Sequence, residues 1–167
     1  AQALARRIGN AEEQAASLIN LAVTLGQLGE FEAALEADRA ALAAFESAGL
    51  RRGIACAYCN IASHLVDLAR WEEALDASRR GLEVATEIDM PYWITGALLS
   101  IAQSELALGN PEPSAAAAEE ALERALASGL EERAGWAIHH AIDAYEALGN
   151  RERAEELRRQ AGELARD

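Results

Sequence analysis

Residues 58–77 read YCNIASHLVDLARWEEALDA. Apolar side chains recur at three- and four-residue intervals up to Leu68 and again from Trp71, the spacing that lays an apolar stripe along a helix. Ala69-Arg70 interrupts the stripe, so the stretch predicts two amphipathic helices joined by a tight turn. The same pattern returns at a spacing of 40 residues. Leu28, Leu68, Leu108 and Leu148 precede turns written Gly29-Glu30, Ala69-Arg70, Gly109-Asn110 and Gly149-Asn150. Glu32, Glu72, Glu112 and Glu152 keep that register.

Upstream of each turn, Leu18, Tyr58, Leu98 and Ile138 form one column, and Leu21, Ile61, Ile101 and Ala141 the next. Small residues fill others: Ala22, Ala62 and Ala102; Ala34, Ala74, Ser114 and Ala154; Ala41, Gly81, Ala121 and Ala161. These are expected to be places where helix backbones approach closely. First helices are expected near 12–28, 51–68, 91–108 and 131–148, and second helices near 31–48, 71–88, 112–128 and 151–165. Residues 1–8 read as the tail of an earlier second helix. The domain organisation is then residues 1–10 as the end of a preceding repeat, repeats over 11–50, 51–90 and 91–130, and a last repeat with a capping helix over 131–167. That capping helix keeps only a narrow stripe of Ala154, Leu157, Ala161 and Leu164, and Asp167 reads as near a true C-terminus, whereas Ala1 begins in mid-pattern.

Gly29, Gly49, Gly109, Gly129 and Gly149 stand where a helix closes in the left-handed conformation. Ala69 breaks that pattern, and a positive φ there would cost on the order of 1 kcal/mol. Asn110 is placed to cap a helix that Pro111 begins. Leu68 is expected to be buried, and Leu28, Leu68, Leu108 and Leu148 to occupy related environments. A hairpin with one apolar face cannot bury it alone, so the hairpins must stack, giving an all-α superhelical solenoid of about four helix-turn-helix units with a concave side.

Composition narrows the function. The chain is 51% hydrophobic but only 5% aromatic, so its apolar content is mostly Ala and Leu, which favour helix. Its formal net charge is −13, and all 15 basic residues are Arg. Direct nucleic-acid binding and attraction to an anionic membrane are both disfavoured, since each needs a concentrated basic surface. No apolar run approaches the roughly 20 residues of a membrane span, so a cytoplasmic location is expected. No Gly-rich phosphate loop, Ser/His/Asp ordering or metal-ligand run is present; no enzyme activity and no cofactor are expected.

The columns resemble the tetratricopeptide repeat: a bulky residue, Leu and a small residue on the first helix, then Gly-x-aromatic-x-x-Ala at the turn. The first repeat carries Leu18, Leu21, Ala22, Gly29, Phe31 and Ala34, and the second Tyr58, Ile61, Ala62, Trp71 and Ala74. The third and fourth depart, with Pro111 and Arg151 where the aromatic belongs. The unit is longer than the family's usual 34 residues or so. In this it resembles the repeats beside the ATPase cores of bacterial signalling regulators and in peptide-pheromone receptors.

That resemblance implies a right-handed superhelix and a non-catalytic protein- or peptide-binding scaffold or sensor within a larger bacterial regulator, acting in signalling or transcription. It also implies a groove lined by the first helices, in which Asn20 and Asn60 meet an extended backbone. Gln27, Ser63, Asp67, Gln103, Trp136, His139 and Asp143 map to the same groove. The basic clamp for a terminal carboxylate is missing from these positions. The alternatives are a module for self-association, as a homo-oligomer or against an upstream domain, and a small-molecule-sensing domain of a transcription activator.

Each candidate has a plainer reading. Asn20 and Asn60 are either backbone-binding amides or structural ones bonded to a neighbouring helix. Cys56 and Cys59 share a helix face but lack further ligands, and read as two groove thiols rather than a redox pair or half a metal site. His139 and His140 diverge by about 100° on a helix. With His64 they read as solvated or groove-polar. Trp71 reads as packing, while Trp93 and Trp136 are divided between packing and partner contact. Asp67, Glu105, Asp143 and Glu146 either make part of the groove acidic or form a solvated face.

Overall fold

A computed structural model describes residues 2–164, with side chains from residue 12 onward. The described residues form eight α-helices: α1 (Gln2–Gln27), α2 (Phe31–Ala48), α3 (Arg51–Asp67), α4 (Trp71–Glu87), α5 (Pro91–Ala107), α6 (Pro111–Ala127), α7 (Glu131–Ala147) and α8 (Arg151–Leu164). The odd-numbered helices are the first helices of the hairpins read from the sequence. The chain divides into two compact units, Ala1–Asp89 with α1–α4 and Met90–Asp167 with α5–α8.

In the first unit each helix packs on its successor, and α1 lies beside α3. The second unit repeats this, with α5 beside α7. The small-residue columns are the contact seams. Ala22, Ala62, Ala102, Ala34, Ala74, Ser114 and Ala154 have no exposed surface. Ser114 fits its column because Oγ donates to the carbonyl of Ala102 at 2.7 Å, so the extra polar atom is satisfied by the paired helix. At Gly81 an added Cβ would fall 3.2 Å from Tyr58 Cβ and 3.3 Å from Cys59 Sγ, so the seam there accepts little more than hydrogen. Between α2, α3 and α4 the core gathers Leu35, Ile61, Leu65, Val66 and Ala74, with Leu68 and Trp71 packed at its edge.

The turns repeat closely. Gly29, Gly109 and Gly149 take φ of 78°, 82° and 72°, and Ala69 takes 55° in the same place. The next residue's N–H returns to a carbonyl five residues back: Glu30 to Leu25, Arg70 to Leu65, Asn110 to Glu105 and Asn150 to Tyr145, all at 2.8–2.9 Å. This is the Schellman closure, which satisfies carbonyls a helix end would otherwise strand. Asp89, with φ 50°, closes α4 in the left-handed conformation without a glycine.

Three expectations change. The helix α1 runs unbroken from Gln2 to Gln27 through the region where a tail over 1–8 was expected to end, because Gly9 does not take the left-handed φ that would close a helix. Asn110 stands at the start of α6 but does not cap it; its Nδ2 donates to buried Glu105 Oε2 at 2.9 Å, a charged acceptor, and Pro113, the third residue of the helix, lacks an N–H that a cap would serve. Asn150 does cap, accepting from the Arg153 N–H at 3.2 Å. Finally, Leu68 is half-buried rather than buried, as are Leu108 and Leu148, while Leu28 is 68% exposed, since these residues sit at the helix C-terminal turn rather than between helices. Asp167 lies outside the described residues.

Candidate functional site

The expected binding residues fall into two groups, one in each unit. In the first, Asn20 and Gln27 lie exposed on α1, while α3 carries half-buried Asn60 and exposed Ser63 and Asp67. In the second, exposed Gln103 lies on α5, and α7 carries exposed Trp136 and His139 and half-buried Asp143.

Beneath the first group lies a buried carboxylate that sequence reasoning missed. Asp38 of α2 is fully buried. Its Oδ2 lies 2.9 Å from His64 Nδ1, and its Oδ1 accepts from Asn60 Nδ2 at 3.3 Å. Burial raises the Asp38 carboxyl above the ordinary carboxylate range, against the opposing pull of His64 and Asn60. His64, read as solvated or groove-polar, is instead buried, because its ring completes this network between α2 and α3. The ring also faces α1, where a Cβ on Gly26 would fall 2.6 Å from His64 Nε2, and it lies 6.5 Å from the Phe31 ring. Asn60 is thus tied to the protein's own side chain, whereas the Asn20 amide is exposed. Burial, and then the Asp38 charge, push the Cys56 thiol up to about 11, the opposite of an activated cysteine. Asp67 is raised by burial, against His64.

The signal for Asp38 was present in the sequence. It stands between Ala34 and Ala41 at four- and three-residue spacings, on the small-residue stripe of its helix, where a carboxylate must find partners.

In the second group an aromatic and basic cluster stands out. The Arg133 guanidinium lies 3.8 Å over the Tyr92 ring and 6.0 Å from the Trp136 ring centre, and Tyr92 meets Trp93 edge-on at 4.9 Å. Tyr92 and Arg133 escaped notice because neither mapped to a groove position. Their pairing joins α5 to α7 and depends on the absence of a side chain at Gly96. Further along α7, His139 Nε2 sits 3.5 Å from Asp143 Oδ2, and the His139 and His140 rings are 5.9 Å apart and tilted. Burial, then the neighbouring His139, lower the His140 pKa, with Asp143 opposing. Among the described residues no three His, Cys, Asp or Glu side chains are grouped to hold a metal ion.

The hairpin geometry and the 40-residue register agree with a family match: the tetratricopeptide repeat model covers residues 53–127. Residues 53–127 carry tetratricopeptide repeats. The chain's fold is that of two solved structures. Aspartyl phosphate phosphatase F from Bacillus subtilis superposes with a TM-score of 0.85 at 13% identity, over 93% of this chain and 41% of its own. A Rap protein complexed with competence and sporulation factor gives 0.82 at 20% identity, over 95% of this chain and 43% of its own. This chain therefore spans about two fifths of either. No curated protein matches the sequence. Within the tetratricopeptide register, Tyr58, Ile61, Ala62, Trp71 and Ala74 gather in or beside one core, as the family pattern implies.

Proposed function

We propose that this chain is a non-catalytic scaffold or sensing module that binds protein or peptide segments on its first helices, as a cytoplasmic part of a larger bacterial regulatory protein. The observation carrying this reading is where large apolar side chains remain exposed. Leu21 and Val23 on α1, Tyr92 on α5 and Trp136 on α7 are each between 44% and 49% exposed, and all lie on first helices. Among the described residues the second helices leave only Leu126 comparably open. Apolar and aromatic side chains held open on the first helices mark, in each unit separately, a surface meant to be covered by another molecule. The similar Rap structure holds competence and sporulation factor, which supports a ligand-binding role for this fold.

In this reading Asn20, Gln27, Ser63 and Asp67 offer polar contacts in one unit and Gln103, Trp136, His139 and Asp143 in the other, with Asn60 anchored to Asp38. Peptides selected from a displayed library against the immobilised protein provide the test. Asn20→Ala should weaken a selected peptide by about 1–3 kcal/mol without changing the helical circular-dichroism signal. An unchanged Kd removes Asn20 from the site, and a library that yields no binder removes the scaffold reading. Asn60→Ala is the less clean variant, because it also takes a donor from Asp38.

Self-association has one observation in its favour. Leu21 is 48% exposed while Ile61 in the same register is 5% exposed, so α1 presents a face that its counterpart buries. Light scattering over a range of protein concentrations decides it: a constant monomer mass rules this reading out.

A further inference from the structure

We propose that Tyr92, Arg133 and Trp136 form a recognition site for an acidic side chain carried on an extended segment of a partner protein. This rests on the binding-scaffold reading and adds the chemistry of the partner. Tyr92 and Trp136 are 48% and 49% exposed, and the Arg133 guanidinium is stacked on the Tyr92 ring with the Trp136 ring centre 6.0 Å away. Arg39, Arg51, Arg70, Arg80, Arg124, Arg153 and Arg158 each pair with a carboxylate. Among the described residues no carboxylate pairs with Arg52, Arg133, Arg151 or Arg159, and of these four Arg133 is the one that lies over aromatic rings.

The stack prepares this cation for an anion. A guanidinium lying over a ring keeps its N–H donors directed outward in its own plane, and that planar fork matches a carboxylate. The rings also restrain a long side chain whose ordering would otherwise weaken binding. Gly96 completes the arrangement: a Cβ there would fall 2.8 Å from Arg133 Nη1, so the guanidinium rests directly against α5. Trp, Tyr and Arg are the residue types that dominate binding energy at protein interfaces, and here the rings would receive apolar atoms flanking the acidic group.

The chain's charge of −13 limits the partner. A run of acidic residues would be repelled, whereas a single carboxylate gains from Arg133 at contact distance. The repulsion is screened beyond about 8 Å at physiological salt. The occupant is therefore one Asp or Glu flanked by apolar residues.

Fluorescence anisotropy of the full chain tests this with a labelled ten-residue peptide, Leu-Glu-Leu at its centre and Gly and Ser elsewhere, both ends blocked. Its partner probe carries Gln in place of Glu. The Glu peptide should bind about tenfold more tightly than the Gln peptide, the size of one charge-assisted hydrogen-bonded pair. Arg133→Gln should abolish the difference. Gly96→Ala should also abolish it while leaving the melting temperature unchanged or raised, because it displaces only the end of the Arg133 side chain and favours the helix. Equal affinity for the two peptides, no saturable binding of the Glu peptide, or a Glu preference that survives Arg133→Gln overturns the proposal. Library-selected peptides separate the two readings: binders indifferent to Arg133→Gln remove this site and leave the scaffold, whereas a failure to select any binder removes both.

Discussion

Asp38 shows how a single residue can redirect the chemistry of a surface above it. Its buried carboxylate engages His64 and Asn60 and, second to the burial of the thiol itself, helps to raise Cys56 to about 11 from an ordinary 9.0. Only the thiolate is nucleophilic, and the pKa lies higher, so fewer thiolates are present at any pH below it. Two pH units leave about a hundredfold less. Iodoacetamide should therefore alkylate Cys56 at pH 8 at least that much more slowly in the folded protein than in urea, and Asp38→Asn should recover part of the rate. Mass spectrometry of the Cys56 peptide reads both, and equal rates in folded and unfolded protein would contradict the account. The sequence put Cys56 and Asn60 on one helix face. It did not reveal their dependence on Asp38, because that contact joins residues 22 apart through packing rather than through helical spacing. Arg133 was hidden for a related reason: its partner Tyr92 lies on another helix, and the space for it is a side chain that Gly96 lacks.

At the level of the helix and its turn, the 40-residue register was legible almost to the residue, since a left-handed closure recurs wherever the pattern placed one. Ala69 is the informative exception. It takes φ 55° where its counterparts are glycine, and an L side chain in that conformation is strained. Ala69→Gly should stabilise the protein by up to about 1 kcal/mol, offset in part by the greater freedom of glycine in the unfolded chain. Urea titrations of the two proteins measure it, and a clear loss of stability would mean that the turn is relaxed with alanine. Asp89 could not be anticipated in this way, because Asp89-Met90-Pro91 contains no glycine to mark the turn. Helix starts were also less legible than helix ends. No side-chain cap begins α2 to α7, whereas Asn110, which looked like one, bonds to Glu105 instead.

For the molecule as a whole, stability rests on neighbours. Within each unit every helix packs on the next in sequence, and the first helices, α1 and α3 in one unit and α5 and α7 in the other, lie side by side. Leu35 of α2 shares a core with Ile61 and Leu65 of α3 and Ala74 of α4, so part of the apolar face of the α3–α4 hairpin is buried against the preceding one. Periodicity revealed this because apolar columns with nothing to cover them within a hairpin require a neighbour. It left the ligand open, because a groove is defined by what remains exposed, and exposure depends on which helices flank each position. The most direct measurement is circular dichroism of two fragments, residues 51–90 alone and residues 1–90. The isolated hairpin should be largely unfolded, and the longer fragment helical with a cooperative melt; an isolated 51–90 hairpin that is fully helical and melts cooperatively at the same temperature as 1–90 would contradict the account.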